Sequence, residues 1–303
     1  MSKYSFNNKF SIVTPTYNAG KYLDQTIRSI VSQQGDFEIE HIIVDNASTD
    51  NTLEIAKSYR AQLDEPDRAG QTGCVSLTIV SAKDHSMYEA INRGFALATG
   101  QIYAWINADD IYLPGAFQQV ASVFAAMPEV KWLKGTTSYI DEAGDPVSPG
   151  VCYLYAQNLI KRGLYGREGY FIQQDSVFWR EDLWKASGGV DESFRLAGDY
   201  DLWMRFAERE PLYTLDYPTS SFRRVSGQLS EDLLAYRQEQ QRITRNCRFK
   251  DLLLRWFFSS LEPRLPDWMK FLLFRALCPL TPLYLVEVVS GTIRLRKSFK
   301  YMD

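Results

Sequence analysis

Histidine is nearly missing from this chain: His41 and His85 are the only two among 303 residues. A histidine-built metal cage and a Ser-His-Asp hydrolase are therefore poorly supplied. Cysteine is almost as scarce. Cys74, Cys152, Cys247 and Cys278 lie far apart with no Cys-x-x-Cys pair, which excludes a zinc ribbon or a disulfide frame and reads as isolated thiols in a reducing compartment. No G-x-G-x-x-G follows the first apolar run and no G-x-x-x-x-G-K-[ST] occurs anywhere. The dinucleotide fingerprint and the P-loop are thus both absent, and any phosphate charge needs another partner. Charge of one sign is lacking too: 34 Lys and Arg are interspersed with 37 Asp and Glu for a net charge of −3, which leaves no basic footprint for nucleic acid. The first ten residues, MSKYSFNNKF, carry no apolar signal-peptide core, so the chain is expected to begin in the cytoplasm. There is no internal repeat and no low-complexity tract.

What is present is an alternating α/β pattern with acids at its joints. A hydrophobic share of 45% over 303 residues supports a sizeable core in one large domain or two modest ones. The apolar run 10–13 ends in a turn-forming loop, Thr14, Pro15, Thr16, Tyr17, Asn18, Ala19 and Gly20. Leu23, Ile27, Ile30 and Val31 then recur at helical spacing until Gly35. A second strand, 42–44, stops at Asp45 and gives way to a helix carrying Leu53, Ala56 and Tyr59, which Ser48 or Asp50 can cap. Residues 61–75 read as a loop. A third strand, 77–80, ends near Asp84, and Tyr88, Ile91 and Phe95 line the helix that follows. Four such units predict a doubly wound, mostly parallel sheet whose ligand lies outside the carboxyl ends of the strands. The polar loops would then either converge there as a site or be ordinary surface loops of such a fold.

The fourth strand is the most informative stretch, QIYAWINADDIYLP at 101–114. Its apolar half ends on Asn107, Ala108, Asp109 and Asp110, and Pro114 and Gly115 open a new helix. Adjacent carboxylates at a strand's end repel, which suits a hard cation such as Mg²⁺ or Mn²⁺ brought in with a diphosphate. The plainer alternative is that the two acids cap the next helix.

Together, FSIVTPTYNAGKYLDQTIRSI, HIIVDNASTDNT and MYEAINRGFALATGQIYAWINADD resemble, in order and spacing, the nucleotide-binding half of family 2 glycosyltransferases, enzymes of the GT-A fold. The resemblance runs to about residue 210. It implies that Asp45 contacts the nucleotide base and that the Thr14, Pro15, Thr16 and Tyr17 loop lies against the nucleoside. It also implies that Asp84, Asn92, Arg93, Asn107, Ala108 and Asp109 belong to the nucleotide-sugar site. The family's Asp-x-Asp motif corresponds to Asn107, Ala108 and Asp109, with Asp109 on the Mn²⁺ or Mg²⁺ ion. Asn107 departs from the usual first acid.

In the second half, 131–140 reads as a strand, 141–150 as a turn-rich connection, 171–180 as a strand and 181–186 as a short helix. The segment around Asp199, Tyr200, Asp201, Leu202 and Trp203 resembles the family helix that bears the catalytic base on its first turn. Gly198 stands where many members have an additional acid, so the resemblance gives Asp199 the role of base; the alternative is a helix-capping Asp199 with Trp203 in the core. Gln173 and Gln174 match positions that face the acceptor in relatives, and Gln174 and Trp203 are carried as acceptor-binding residues. Beyond 230 the chain reads as a charged helix and then mixes Leu, Trp and Phe with Arg and Lys. The longest uncharged stretch of this tail, 276–286, is too short to span a bilayer. The tail either lies on an anionic membrane surface, packs on its own domain or forms a dimer.

The resulting expectation is a GT-A catalytic domain over 1–230 and a helical extension over 231–303. It would be a non-processive, inverting enzyme of the cytoplasm, either free there or at the inner face of the membrane, using a nucleoside-diphosphate sugar donor and a glycan or lipid-linked acceptor. A nucleotidyltransferase and a non-catalytic nucleotide-sugar binding protein are the rivals.

Overall fold

The computed structural model describes residues 8–65, 75–166, 171–228, 231–244, 253, 256, 264–277, 282–289 and 291–298. Strands β1 (Lys9–Thr16), β2 (Glu38–Asp45), β3 (Val75–Ser81) and β4 (Ile102–Trp105) alternate with helices α1 (Leu23–Val31), α2 (Thr52–Leu63) and α3 (Met87–Leu97), as the sequence predicts. They pair in the order β3-β2-β1-β4, all parallel. After them come β5 (Ile111–Tyr112), α4 (Ala116–Ala126), β6 (Trp132–Ile140), β7 (Pro146–Ser148), α5 (Gln157–Ile160), a 3₁₀ turn (Gln174–Ser176), β8 (Val177–Arg180), α6 (Glu181–Ser187) and α7 (Gly198–Arg209). The chain continues with β9 (Tyr213–Arg223), α8 (Leu233–Ile243), α9 (Asp267–Leu277), β10 (Leu283–Val289) and β11 (Thr292–Ser298). Beyond β4 the sheet runs β8-β6-β9-β10-β11. β8 opposes both of its neighbours, β9 and β10 return to the common direction, and β11 folds back on β10.

Each face of the sheet buries its own core. Val13, Val44, Trp105, Trp132, Trp179 and Trp203 lie on the side of α3 and α7, whereas Phe10, Ile12, Ile30, Phe117 and Phe124 lie on the side of α1 and α4. α3 starts on a pair of caps: the Ser86 hydroxyl accepts the Glu89 N–H at 3.1 Å while the Glu89 carboxylate accepts the His85 N–H, one residue before the cap, at 2.7 Å. It sits unusually close to the sheet because position 94 has no side chain; a Cβ there would fall 2.5 Å from Val13 Cγ1. That close seating brings the amino end of α3 to the carboxyl edge of β1–β4.

Four expectations change. The predicted strand 171–180 is regular only over β8, because Gln174–Ser176 turns first. The connection 141–150 contains β7, paired to β6. Asp109 and Asp110 do not cap a helix: β5 intervenes, and α4 begins after Gly115 at φ 79°. The extension is helical only through α8 and α9. β10 and β11 are strands, since without them β9 would be an edge with unpaired backbone groups, and Leu283, Leu285 and Val286 bury against it. Residues 283–298 therefore belong to the same sheet as the predicted domain. The last part of the helix expected after 230 lies outside the described residues.

Candidate active site

Parallel register sets Thr16 opposite Asp45 and Asp45 opposite Ser81 at the carboxyl edge. The buried Asp45 carboxylate accepts from Thr16 Oγ1 at 3.2 Å, Ser48 N at 3.1 Å, Ser48 Oγ at 2.5 Å and Ser81 Oγ at 2.8 Å. It is fixed in place before any ligand arrives. The loops after β1 and β2 are joined: Asn18 N donates to Ser48 Oγ at 2.8 Å, and Asn18 Oδ1 accepts Thr49 N–H at 2.9 Å. Asn18 and Ala47 both adopt left-handed backbone there. Tyr17 stands 63% exposed at this edge, its ring open to stacking. Asp84 is tied in through Asn46, whose Oδ1 accepts its N–H at 2.9 Å. Burial raises the Asp84 carboxyl, with Glu89 adding to the rise and Arg93 opposing it. Arg93 pairs with Glu89 at 2.7 Å and reaches the Ala82 and Lys83 carbonyls, so it braces the loop that carries Asp84.

Three residues of the predicted donor set do not reach this edge as ligand groups. The Thr14 hydroxyl is buried against His41 Nε2 at 3.0 Å, and burial drives that imidazole down to about 3. Pro15 is buried in β1 opposite Val44. Asn92 spends its amide on the turn before α7, donating to Val190 O and Glu192 Oε1 at 2.8 Å each and accepting Val190 N–H at 3.0 Å. The Thr14 hydroxyl and the Asn92 amide are spent on neighbouring side-chain and backbone groups, a fact invisible in a linear motif.

After β4, Thr26 of α1 holds the Ala108 and Asp110 carbonyls at 2.9 and 2.8 Å. The two acids then diverge. Asp110 is buried, accepts the Arg223 backbone N–H at 2.8 Å, and is pushed well above the carboxylate range by burial and by the charges of Asp109 and Asp175. It is a structural clamp on the end of β9. Asp109 keeps a more open carboxylate, touched by Gln228 Nε2 at 3.3 Å and raised by burial. Asn107 Oδ1 has no partner among the described residues. No three His, Cys, Asp or Glu side chains converge among the described residues. A hard ion held by one carboxylate and completed by substrate phosphates needs no such cluster. Asp109, with the unpaired Asn107 oxygen nearby, fits that donor set.

Sequence reasoning missed the supports behind this loop. Arg223, fully buried, donates to Asp109 O at 2.7 Å, to the Asp141 and Glu142 carbonyls and to Gln25 Oε1. Asp175 accepts Ser220 Oγ at 2.5 Å, and Lys134, lowered to about 8 by burial, lies in the same polar seam between β6 and β9. Their only sequence signal is a run of Thr, Ser and Arg, which reads as surface.

Asp199 arrives on the first turn of α7. Tyr88 fixes that turn, its hydroxyl donating to Leu196 O at 2.7 Å and accepting Gly198 N–H at 2.9 Å. Its ring also explains Gly198, since a Cβ there would lie 2.6 Å from Tyr88 Cε2. Asp199 accepts Tyr200 N–H at 2.7 Å, and burial lifts its pKa to about 7. It lines a small, partly open pocket with Phe171, Ile172, Trp203, Met204 and Tyr236. Asp201 is instead committed to Arg205 at 2.8 Å, which in turn holds the Gly189 carbonyl. Trp203 stacks on Trp105 and Trp132, and its Nε1 has no partner among the described residues. It is both core and pocket wall. Gln174 donates to the Trp105 carbonyl, tying the 3₁₀ turn to the end of β4 and leaving its amide nitrogen engaged.

Residues 11–131 match the family model described as Glycosyl transferase family 2. A "PGL/p-HBAD biosynthesis glycosyltransferase" of Mycobacterium bovis is 30% identical over 208 residues, 68% of this chain and 72% of the relative. An uncharacterized glycosyltransferase of Nostoc sp. is 30% identical over 141 residues, 45% of this chain, and the match spans only 40% of that protein. Among solved structures, S. aureus TarS 1-349 in complex with UDP-GlcNAc superposes with a TM-score of 0.59 at 18% identity, over 89% of this chain and 82% of that one. A mannosyltransferase from Pyrobaculum calidifontis in complex with GDP-Man and Mn2+ gives 0.58 at 16% identity, over 84% and 71%. At such identities the superpositions speak for the fold. The chain belongs to glycosyl transferase family 2 and is an enzyme of that class, with the GT-A architecture. The nucleotidyltransferase and the non-catalytic binding protein fall with that assignment.

Proposed function

We propose that this enzyme moves a hexosyl group from a nucleoside-diphosphate sugar to an acceptor hydroxyl in a single inverting displacement, with Asp199 as general base and Asp109 holding Mn²⁺ or Mg²⁺. The acceptor oxygen gives its proton to Asp199 as it bonds to the anomeric carbon, and the bond from that carbon to the diphosphate oxygen breaks. The nucleoside diphosphate leaves with the electron pair. The ion, when bound, offsets charge on the departing diphosphate. Asp45, Asp84 and Tyr17 hold the nucleoside. What carries the reading is the contrast between two acids on one helix. Asp201 is consumed by Arg205, while Asp199, raised to about 7 at the rim of an apolar pocket, is suited to take a proton near neutral pH. The mycobacterial relative's name speaks of PGL/p-HBAD biosynthesis, and a glycan or lipid-linked acceptor would suit the aromatic pocket.

A thermal-shift panel of uridine, guanosine and thymidine diphosphate sugars with Mn²⁺ identifies the donor, since a bound ligand raises the melting temperature by mass action. The matching sugar nucleotide should also be slowly hydrolysed without acceptor. No stabilisation by any member of the panel would remove the reading.

The tail supports a peripheral membrane contact. Residues 252–303 contain eight Lys and Arg against four Asp and Glu, and Trp256, Trp268 and Leu272 are each more than half exposed. Among the described residues no helix is long and apolar enough to cross a membrane, so the contact would be a surface one. The chain should pellet with anionic liposomes and release at high salt. Equal pelleting with neutral liposomes, or none with anionic ones, would speak for packing or dimerisation instead.

A further inference from the structure

Glu239 lies on α8, in the segment that the sequence assigns to an appended extension. Its carboxylate accepts three successive backbone N–H groups: Arg195 at 2.9 Å, and Leu196 and Ala197 at 2.8 Å each. These are the last amides before α7, whose second residue is Asp199. A helix's leading amides are ordinarily met by a side chain just before it. Ala197, the residue in that position here, has none to offer, and Glu239, from a different helix, instead holds the three amides that lead into α7. Opposite Glu239, Tyr88 grips the same strand of backbone at Leu196 O and Gly198 N. The neighbours of Glu239 on α8 face the same pocket. Tyr236 lines it beside Asp199, and the buried Gln240 donates to the Gly166 carbonyl at its rim at 2.8 Å.

We propose that Glu239 is a positioning residue for the transfer reaction: by holding residues 195–197 it sets the direction and the electrostatic surroundings of the Asp199 carboxylate, which makes α8 a working part of the acceptor site. This rests on the reading of Asp199 as base. The titratable groups facing Asp199 are Tyr88 from α3, Tyr165 from the turn after α5, Tyr200 on its own helix, and Tyr236 and Glu239 from α8. Of these, Glu239 is the carboxylate, and its negative charge works with burial to keep Asp199 protonated to higher pH.

Carbon-13 NMR of the aspartate carboxyls reads this without any substrate, the Asp199 resonance being assigned by its loss in Asp199→Asn. In the full chain, Glu239→Gln should lower the Asp199 titration midpoint by about half a pH unit or more, since a like charge has been removed. With UDP-GlcNAc or GDP-mannose and Mn²⁺ as hydrolysis probes, the acid limb of the rate profile should move down by the same amount. The plateau should fall about tenfold at unchanged donor KM, and Glu239→Ala should fall further, with Gln as the partial rescue. An unchanged Asp199 midpoint in Glu239→Gln overturns the inference, whatever happens to the melting temperature, and that readout stands even if Glu239→Ala fails to fold. Full hydrolysis by Asp199→Asn is a different failure, which removes the base and Glu239's role with it.

Discussion

Asp45 and Asp199 stand at the same edge of one sheet, and their surroundings are opposite in kind. In the donor half, β1 and β3 each send a hydroxyl to Asp45, and Ser48 in the loop after β2 adds both its hydroxyl and its N–H. Across the edge, Asp199 has one backbone N–H, a wall of aromatic rings, and a carboxylate of Glu239 held nearby. A group that only has to present a fixed shape to a nucleoside gains from being saturated by its own chain. A group that has to accept a proton gains from being left under-solvated, because burial brings its proton affinity to the working pH. The difference between the halves is thus one between rigidity and reactivity, built from the same side chain.

The sharpest break of this comparison is at Asp199 itself. Asp199→Asn keeps the shape and loses the proton acceptor, so turnover should drop by roughly 10²- to 10⁴-fold with donor affinity nearly intact. Asp201→Asn should keep most of the activity, since its partner is Arg205. If steady-state kinetics return the reverse pattern, the roles of the two acids are exchanged. For the wild type, kcat/KM should rise about tenfold per pH unit up to about pH 7 and then level.

Next in size is Asp109→Ala, which should weaken Mn²⁺-dependent nucleotide binding by about tenfold or more. Calorimetry showing equal affinity with and without the side chain would move the ion elsewhere.

The smallest effects are on stability, and they should differ in sign. Asp45→Asn turns one carboxylate oxygen into an N–H facing donors and should cost about 1–3 kcal/mol. Asp199→Asn should stabilise. Its folded pKa is raised from an unfolded value near 3.9 to about 7, so between those limits the folded chain holds a proton that the unfolded chain has released. Stability therefore falls as pH rises through that window. The asparagine variant escapes this, and its melting temperature should exceed wild type at pH 8 and match it near pH 4. Equal melting at pH 8 would mean that the carboxylate is better solvated than the pocket implies.

The donor half was legible because its strands are continuous apolar runs punctuated by turn formers, and because Asp45 and Asp109 sit where those runs stop. The sequence could not tell which polar residue near a strand end faces out. Thr14 and Asn92 carry the right chemistry and spend it on His41 and Val190. β9 gave no signal, since YTLDYPTSSFR buries Thr219, Ser220 and Ser221 in a hydrogen-bonded seam rather than an apolar one. β10 and β11 did carry one. LYLVEVV is rich in β-branched residues and TIRLRKS alternates, but the mixture of Leu and Arg around them reads equally as an amphipathic helix. Glu239 was silent because its partners are backbone amides, which no side-chain motif records.

The hairpin of β10 and β11 also decides how the sheet meets other molecules. Had the sheet ended at β9, the stretch of that strand that β10 now covers, Tyr213 to Leu215, would have been open to a strand from any neighbouring chain. Among the described residues β11 is the outermost strand at this edge, short, largely exposed, and carrying Arg294, Arg296 and Lys297. Two copies approaching edge to edge would bring these cations against their own images. The seven residues of β11 thus make this edge of the sheet a poor template for pairing with a second copy.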